Sequence, residues 1–180
     1  NQRPRDVANI TRWVEQHAER KLNWQIINLN VAKIDDLHDS SILYIAGNQK
    51  LFFSDKEKAM LKQYIDEGGM IVGNADAGRA DFANAFRALG KELYPAYEFK
   101  SIMDKPDEQP MLTNQTYQPA NWKKKPKVEA LSNGARLMMV LLPTDDVSKA
   151  FQRRDTNKGQ EQFELFANLH LYSTDKTCLL

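Results

Sequence analysis

Cysteine is the scarcest reactive residue in this 180-residue chain, because Cys178 is the only one. A single thiol excludes an internal disulfide framework and any metal site built from several cysteines. Glycine is also scarce, at eight residues, and the chain has no glycine-rich loop of the kinds that cradle phosphate groups. No apolar run approaches the length of about 18 residues that a membrane-spanning helix needs.

Neither sign of charge is in excess. Lysine and arginine number 25, and aspartate and glutamate number 24, so the net charge is +1. Proteins dedicated to nucleic acids usually carry a clustered positive excess, and this balance argues against that class. Hydrophobic residues make up 42% of the chain. This is enough to bury a core, and we expect one folded domain over residues 1–180.

The two ends of the chain carry no recognisable targeting signal. The residues from Asn1 to Arg5 are polar and lack the apolar core of a signal peptide. Because the first residue is not methionine, we expect a processed or excised chain whose location cannot be read from this sequence. Cys178 lies third from the C-terminus, whereas prenylation needs a cysteine at the fourth position.

The three histidines do not form a metal-binding pattern. His17, His38 and His170 are far apart, and none has a second histidine or a cysteine at ligand spacing. The sequence therefore predicts neither a metal site nor a cofactor. A dyad of Cys178 with a histidine stays open as an alternative, although a thiol near a chain end is poorly held for catalysis.

The first half of the chain alternates between helix and strand patterns. Apolar residues at helical spacing predict a helix over residues 6–21, and a β-branched, aromatic stretch predicts a strand over 24–29. A continuous apolar run at 42–46 and a second one at 70–73 are typical of strands that are buried on both faces.

A well-marked helix connects the two buried runs. Ser54 and Glu57 form a capping box at its start. Gly68 and Gly69 end it, because glycine adopts the left-handed conformation without a Cβ penalty. Strand, helix and strand with short connections predict two parallel neighbouring strands.

The second half of the chain is less regular. Asn133-Gly134 is a hairpin turn signal between two strand patterns. In chain order we predict helix 80–93, a long irregular excursion over 96–127 with short strands at 97–102 and 111–112, strands 128–131 and 136–142, and helices 145–152 and 160–172.

Three segments should lie at the carboxyl ends of parallel strands, where ligands bind in open α/β sheets. They are residues 28–30, 47–49 and 74–79. The last one connects a strand to a helix, so its N–H groups should face outward at a helix N-terminus. The candidate ligand-binding residues in these segments are Gly47, Asn48, Asn74, Asp76, Gly78 and Arg79.

Asp76 is the candidate catalytic residue of this turn. It occupies the kind of strand-to-helix elbow that holds a serine or cysteine nucleophile in some enzymes. An aspartate there can also simply cap the helix N-terminus. Both interpretations stay open, and Asn74 can likewise be a structural hydrogen-bonding residue.

A basic run at residues 122–127 combines one tryptophan with four lysines. Such a run can contact nucleic acid, but it is also typical of a solvated surface, which the neutral overall charge favours.

Several sequence blocks resemble a bacterial family, domain-of-unknown-function family 4159. The first blocks are Leu43-Tyr44-Ile45-Ala46-Gly47, Tyr64-Ile65-Asp66-Glu67-Gly68-Gly69 and Gly73-Asn74-Ala75-Asp76. Later blocks are Phe82-Ala83-Asn84-Ala85-Phe86-Arg87, Leu93-Tyr94-Pro95 and Asn168-Leu169-His170-Leu171-Tyr172. The resemblance runs from about Val7 to Tyr172.

The family resembles the class I glutamine-amidotransferase-like superfamily. The resemblance implies an α/β fold of three layers, flavodoxin-like or Rossmann-like, with a mostly parallel sheet and helices on both faces. It also implies an N-terminal strand before the first helix, which this chain has no room for. Members are often exported or membrane-associated proteins without an assigned reaction.

The chain departs from the superfamily at the catalytic positions. Its enzymes carry a cysteine at the elbow and a histidine–glutamate pair later, whereas this elbow reads Ala75-Asp76-Ala77. Relatives tend to have His-Pro where this chain has Gln109-Pro110.

These departures favour a non-catalytic binding or scaffolding domain. A small molecule or a protein is the partner expected for such a domain. The alternative is a hydrolase that acts through Asp76.

Overall fold

A computed structural model describes residues 3–18 and 21–175 of the chain. These residues form an α/β fold around a five-stranded sheet with the strand order β1-β2-β5-β4-β3. The strands are β1 Ile42–Gly47, β2 Met70–Ala75, β3 Lys100–Ser101, β4 Glu129–Ser132 and β5 Leu137–Leu142.

The sheet is mixed, which corrects the expectation of a mostly parallel one. The strands β1, β2 and β5 run parallel, as the strand–helix–strand pattern predicted for the first two. β4 pairs antiparallel with β5, and β3 pairs antiparallel with β4. The reversal follows from the predicted turn, where Gly134 has φ 93° and Asn133 Oδ1 accepts the N–H groups of Ala135 and Arg136. A turn this tight can join only antiparallel strands.

Seven α-helices occur in the described residues. They are α1 Asp6–Ala18, α2 Ile34–His38, α3 Asp55–Asp66, α4 Ala80–Leu93, α5 Pro110–Thr113, α6 Val147–Arg153 and α7 Thr156–Thr174. The predicted capping box starts α3, because Ser54 Oγ accepts the Glu57 N–H and the Glu57 carboxylate accepts the Ser54 N–H. Gly68 follows α3 with φ 109° and turns the chain into β2.

The parallel strands contribute side chains to two separate hydrophobic clusters, one on each face of the sheet. Met70, Val72 and Val140 pack with residues of α1, α6 and α7. Ile71 and Met139, which alternate with them along the strands, pack with residues of α3 and α4. This alternation follows from the two-residue period of a strand, and it explains why β2 and β5 are buried along their whole lengths.

Two strand predictions are wrong. Residues 24–29 form no strand and pair with no other strand, so β1 is the edge of the sheet within the described residues. Met111 and Leu112 lie in α5 rather than in a strand. Pro110 occupies the first turn of that helix, where its missing N–H costs nothing.

Within residues 96–127 the structure has β3, α5 and two short 3₁₀ turns. Cys178, and with it the dyad alternative, lies outside the described residues.

Candidate functional site

The carboxyl ends of β1, β2 and β5 meet at one edge of the sheet. The register aligns Gly47 with Ala75, so the end of β1 lies beside the end of β2. β2 then runs into a 3₁₀ turn, Asp76–Gly78, which we call the elbow, and α4 begins at Ala80. In the elbow, Ala77 has the left-handed conformation with φ 53° and ψ 24°.

Asp76 is buried in the elbow, with 4% of its surface exposed. Its Oδ1 accepts a hydrogen bond from Arg3 Nη1 at 3.0 Å and one from Asn74 Nδ2 at 2.9 Å. It does not cap α4, because the N-cap of that helix is Arg79 and no side chain bonds there. Burial raises the pKa of Asp76, with the charge of Arg3 opposing the shift and the charge of Asp146 adding to it.

Asp146 is the second carboxylate of the site and lies between β5 and α6. It pairs with both terminal nitrogens of Arg3, and the Nη2–Oδ2 distance is 2.5 Å. It also accepts the N–H groups of Ala77 at 2.7 Å and Lys149 at 3.1 Å, the latter as N-cap of α6. Burial alone would raise the pKa of Asp146, but the hydrogen bonds from Arg3 and Ala77 outweigh it and hold the pKa below its ordinary value.

Several polar groups of the elbow are therefore bonded to other groups of the chain. The Ala77 N–H, which could otherwise face an anion, is bonded to the Asp146 carboxylate. Asn74 is fully buried, and its Oδ1 accepts the Val147 N–H at 3.2 Å. Arg3 forms an ion pair with each of the two carboxylates, Asp76 and Asp146.

A second cluster of polar side chains lies beside the cluster of Arg3, Asp76 and Asp146. Ser148 donates to the Asp6 carboxylate, and its Oγ lies 3.1 Å from Tyr44 Oη. Asp6 and Ser148 are almost completely buried. Burial raises the pKa of Tyr44 above its ordinary value, so this phenol stays protonated and can act only as a neutral partner. Together the two clusters of polar side chains attach the start of α1 to β1 and α6.

The other predicted ligand-binding residues have different surroundings. Gly47 packs against the Phe82 ring, where a Cβ would lie 3.3 Å away. Asn48 is half-buried just after β1, and the Arg79 side chain is exposed. Gly78 needs its glycine backbone, since its φ is 65° and a Cβ would lie 3.3 Å from the Thr144 carbonyl. The structure brings together Asn74 and Asp76, but not Arg79.

Five residues of the site were missed from the sequence: Arg3, Asp6, Tyr44, Asp146 and Ser148. Asp146 had a usable signal, because it follows the continuous apolar run Leu137–Leu142 within four residues, and Asp76 likewise comes just after a buried strand. Arg3 and Asp6 had none, since a charged residue near a chain end is ordinary. Tyr44 is part of an apolar strand pattern in which nothing marks its hydroxyl.

Two residues of the basic run and two of the histidines contact other side chains. Trp122 is buried and its Nε1 donates to Glu164 at 2.7 Å, so its ring is not a free stacking surface. Lys124 Nζ lies 3.4 Å from Asp145. His17 stacks on Trp13 with ring centroids 4.0 Å apart, and His38 pairs with Glu67. Over 3–18 and 21–175, no three histidine, cysteine, aspartate or glutamate side chains are arranged to hold a metal ion.

These features define an open α/β domain with two aspartates and an arginine at the carboxyl edge of its sheet. No helix in the described part of the chain has the length and apolar character to cross a membrane. The family model described as a domain of unknown function, DUF4159, matches residues 1–169. The chain belongs to this family, which confirms the prediction made from its sequence blocks. No curated protein matches the chain.

Proposed function

We propose that this chain is a non-catalytic binding or scaffolding domain of a bacterial protein. We further propose that its fold is a three-layer, flavodoxin-like relative of the glutamine-amidotransferase-like domains. The parallel β1-β2-β5 core, the strand-to-helix elbow and the two clusters on opposite faces of the sheet support this relation. Fold similarity does not by itself give an activity, so the function is argued from the elbow.

The composition of the elbow supports the absence of catalysis. Asp76, Ala77 and Gly78 offer no hydroxyl or thiol at the position where such domains hold a nucleophile. The N–H that would stabilise an oxyanion is bonded to Asp146 instead. A substrate would have to displace a charge-assisted bond that the protein makes with itself.

A hydrolase that acts through Asp76 is the second candidate. Burial raises the pKa of this carboxyl group, which is a property of many catalytic acids. Its 4% exposure and its bonds to Arg3 and Asn74 favour a structural role, because a general base must reach the proton that it removes.

The two candidates are separated by glutaminase, esterase and peptidase assays on the purified chain. We expect no turnover above the buffer blank in the unmodified protein, in Asp76→Ala or in Asp104→Ala, an exposed control. Turnover that Asp76→Ala abolishes and Asp104→Ala leaves unchanged would refute the proposal and establish the hydrolase. A Cys178→Ser variant in the same assays tests the thiol, and turnover that depends on Cys178 would also refute a non-catalytic domain.

A further inference from the structure

The edge strand β1 has hydrogen-bonding groups that no other part of the described chain satisfies. The Ser41 carbonyl accepts the Met70 N–H, so Ser41 faces β2. Because N–H and C=O directions alternate along a strand, those of Ile42, Tyr44 and Ala46 point away from β2. Ser40 Oγ bonds both groups of Ile42. Tyr44 and Ala46 have no such partner for their outward backbone groups within the described residues.

A cavity of about 730 Å³ lies against this free edge. Its lining also includes residues of α1, Phe166 and His170 of α7, and the segment 22–29. Residues 24–27 of that segment also make no backbone hydrogen bond to other described residues. Ile26 is 84% exposed and Trp24 46% exposed, so the segment presents large apolar side chains that nothing covers. The lining of the cavity therefore includes backbone of both β1 and the segment 24–27 that makes no hydrogen bond to other described backbone.

β1 also lacks the features that protect a natural edge strand. Its sequence, Ile-Leu-Tyr-Ile-Ala-Gly, contains no charged residue and no proline. Edge strands normally carry lysine, proline or a bulge to prevent pairing with another chain. A six-residue apolar edge without these features is typical of a strand that is covered on both sides.

We propose that this cavity, here called the strand slot, binds an extended apolar segment of a partner polypeptide as an additional β-strand beside β1. Only a polypeptide backbone presents alternating donors and acceptors at the strand repeat, which the free edge of β1 requires. The exposed charged side chains that line the slot are acidic, Asp36 and Asp39, with no lysine or arginine among its described lining residues. The segment that it binds is therefore apolar at alternate positions and flanked by basic residues. This proposal does not depend on whether the elbow is catalytic.

The test uses a ten-residue peptide of alternating valine and threonine with two lysines at each end. Its binding to the purified chain is measured by fluorescence anisotropy, and amide exchange of Tyr44 and Ala46 is followed by NMR. We expect saturable binding and slower exchange of the Ala46 amide in the complex. A second peptide of the same composition, N-methylated at alternate residues, should not bind, because it cannot complete the ladder.

The variant Ala46→Pro removes the outward N–H without touching the bonds between β1 and β2, since proline is tolerated on edge strands. We expect the dissociation constant of the peptide to rise at least about fivefold, the equivalent of one hydrogen bond. Ala80→Pro is the matched control, because Ala80 is the first residue of α4 and its N–H has no partner within the helix. Ile26→Ser, at an exposed position, tests the contribution of the segment 22–29 if Ala46→Pro fails to fold, and it too should weaken binding.

Three results would overturn the proposal. One is the absence of peptide binding to the unmodified chain. Another is slow exchange of the Ala46 amide in the free monomer, which would show that residues 24–29 already pair with β1. The third is protection that grows with protein concentration together with a dimer in light scattering, which would make a second copy the occupant.

Discussion

Replacing Asp146 with alanine should destabilise the domain more than removing any other charge at the elbow. This carboxylate joins three parts of the chain, because it binds Arg3 before α1, the Ala77 N–H in the elbow and the Lys149 N–H at the start of α6. The substitution therefore removes an N-cap, a turn contact and an ion pair at once.

The expected loss is about 3–4 kcal/mol of unfolding free energy. Loss of an N-cap costs ~1 kcal/mol. The unpartnered Ala77 N–H costs about 1 kcal/mol, the low end of the range for a lost partner, because Ala77 is exposed. A charged hydrogen bond contributes about 1.5–3 kcal/mol. For the Arg3 pair we take the low end of that range, because Arg3 keeps Asp76 as a second partner.

The assay is urea and thermal unfolding at pH 7, followed by circular dichroism. A loss of this size lowers the Tm by roughly 6–16 °C in a chain of this length. Asp146→Asn keeps an oxygen that can accept the Lys149 N–H. Its unfolding free energy should therefore lie between those of the unmodified protein and Asp146→Ala. Asp104→Ala should change the free energy by no more than about 0.5 kcal/mol. A loss below about 1 kcal/mol in Asp146→Ala would show that the cluster does not hold α1 and α6 to the elbow.

Three further predictions concern β2 and the elbow. Gly73→Ala places a Cβ 2.6 Å from the Phe86 ring, so overpacking should lower the unfolding free energy by about 1–3 kcal/mol in urea titrations; an unchanged midpoint would contradict this contact. Ala77→Gly removes the cost of a left-handed alanine, about 1–2 kcal/mol, but adds an entropic cost of ~0.5–1 kcal/mol because glycine is more flexible in the unfolded chain. Thermal unfolding should therefore show equal or slightly higher stability. A clear loss of stability would be inconsistent with the observed φ of 53°. Because burial raises the pKa of Asp76, its charge destabilises the fold above that pKa, and protonation relieves the cost as the pH falls. Asp76→Asn should therefore show its largest stability gain over the unmodified protein near pH 7, and that gain should shrink as the pH falls through the raised pKa of Asp76; a gain that grew toward acid pH would reverse the sign. The pKa of Asp146 is lowered, so its own contribution is lost only below about pH 3.9, the ordinary value for aspartate.

Much of the candidate site could not be predicted, because its contacts cross long distances in sequence. Asn74 and Asp76 are two residues apart, and the strand-to-helix pattern was enough to place them at the carboxyl edge. Arg3 and Asp146 are 143 residues apart. Their pairing depends on how α1 and α6 pack on the same face of the sheet, and no local pattern encodes that packing.

The sequence alone determined the local structure wherever short-range chemistry decides it. The capping box at Ser54 and Glu57 fixed the start of α3, and Asn133-Gly134 fixed the hairpin, because these signals act within a few residues. Tertiary structure alone decided whether a strand pattern becomes a strand. Residues 42–47 and 24–29 both have the apolar, β-branched composition, yet only the first forms hydrogen bonds to a neighbour. A strand is completed by a partner distant in the chain, and composition does not reveal whether that partner is present.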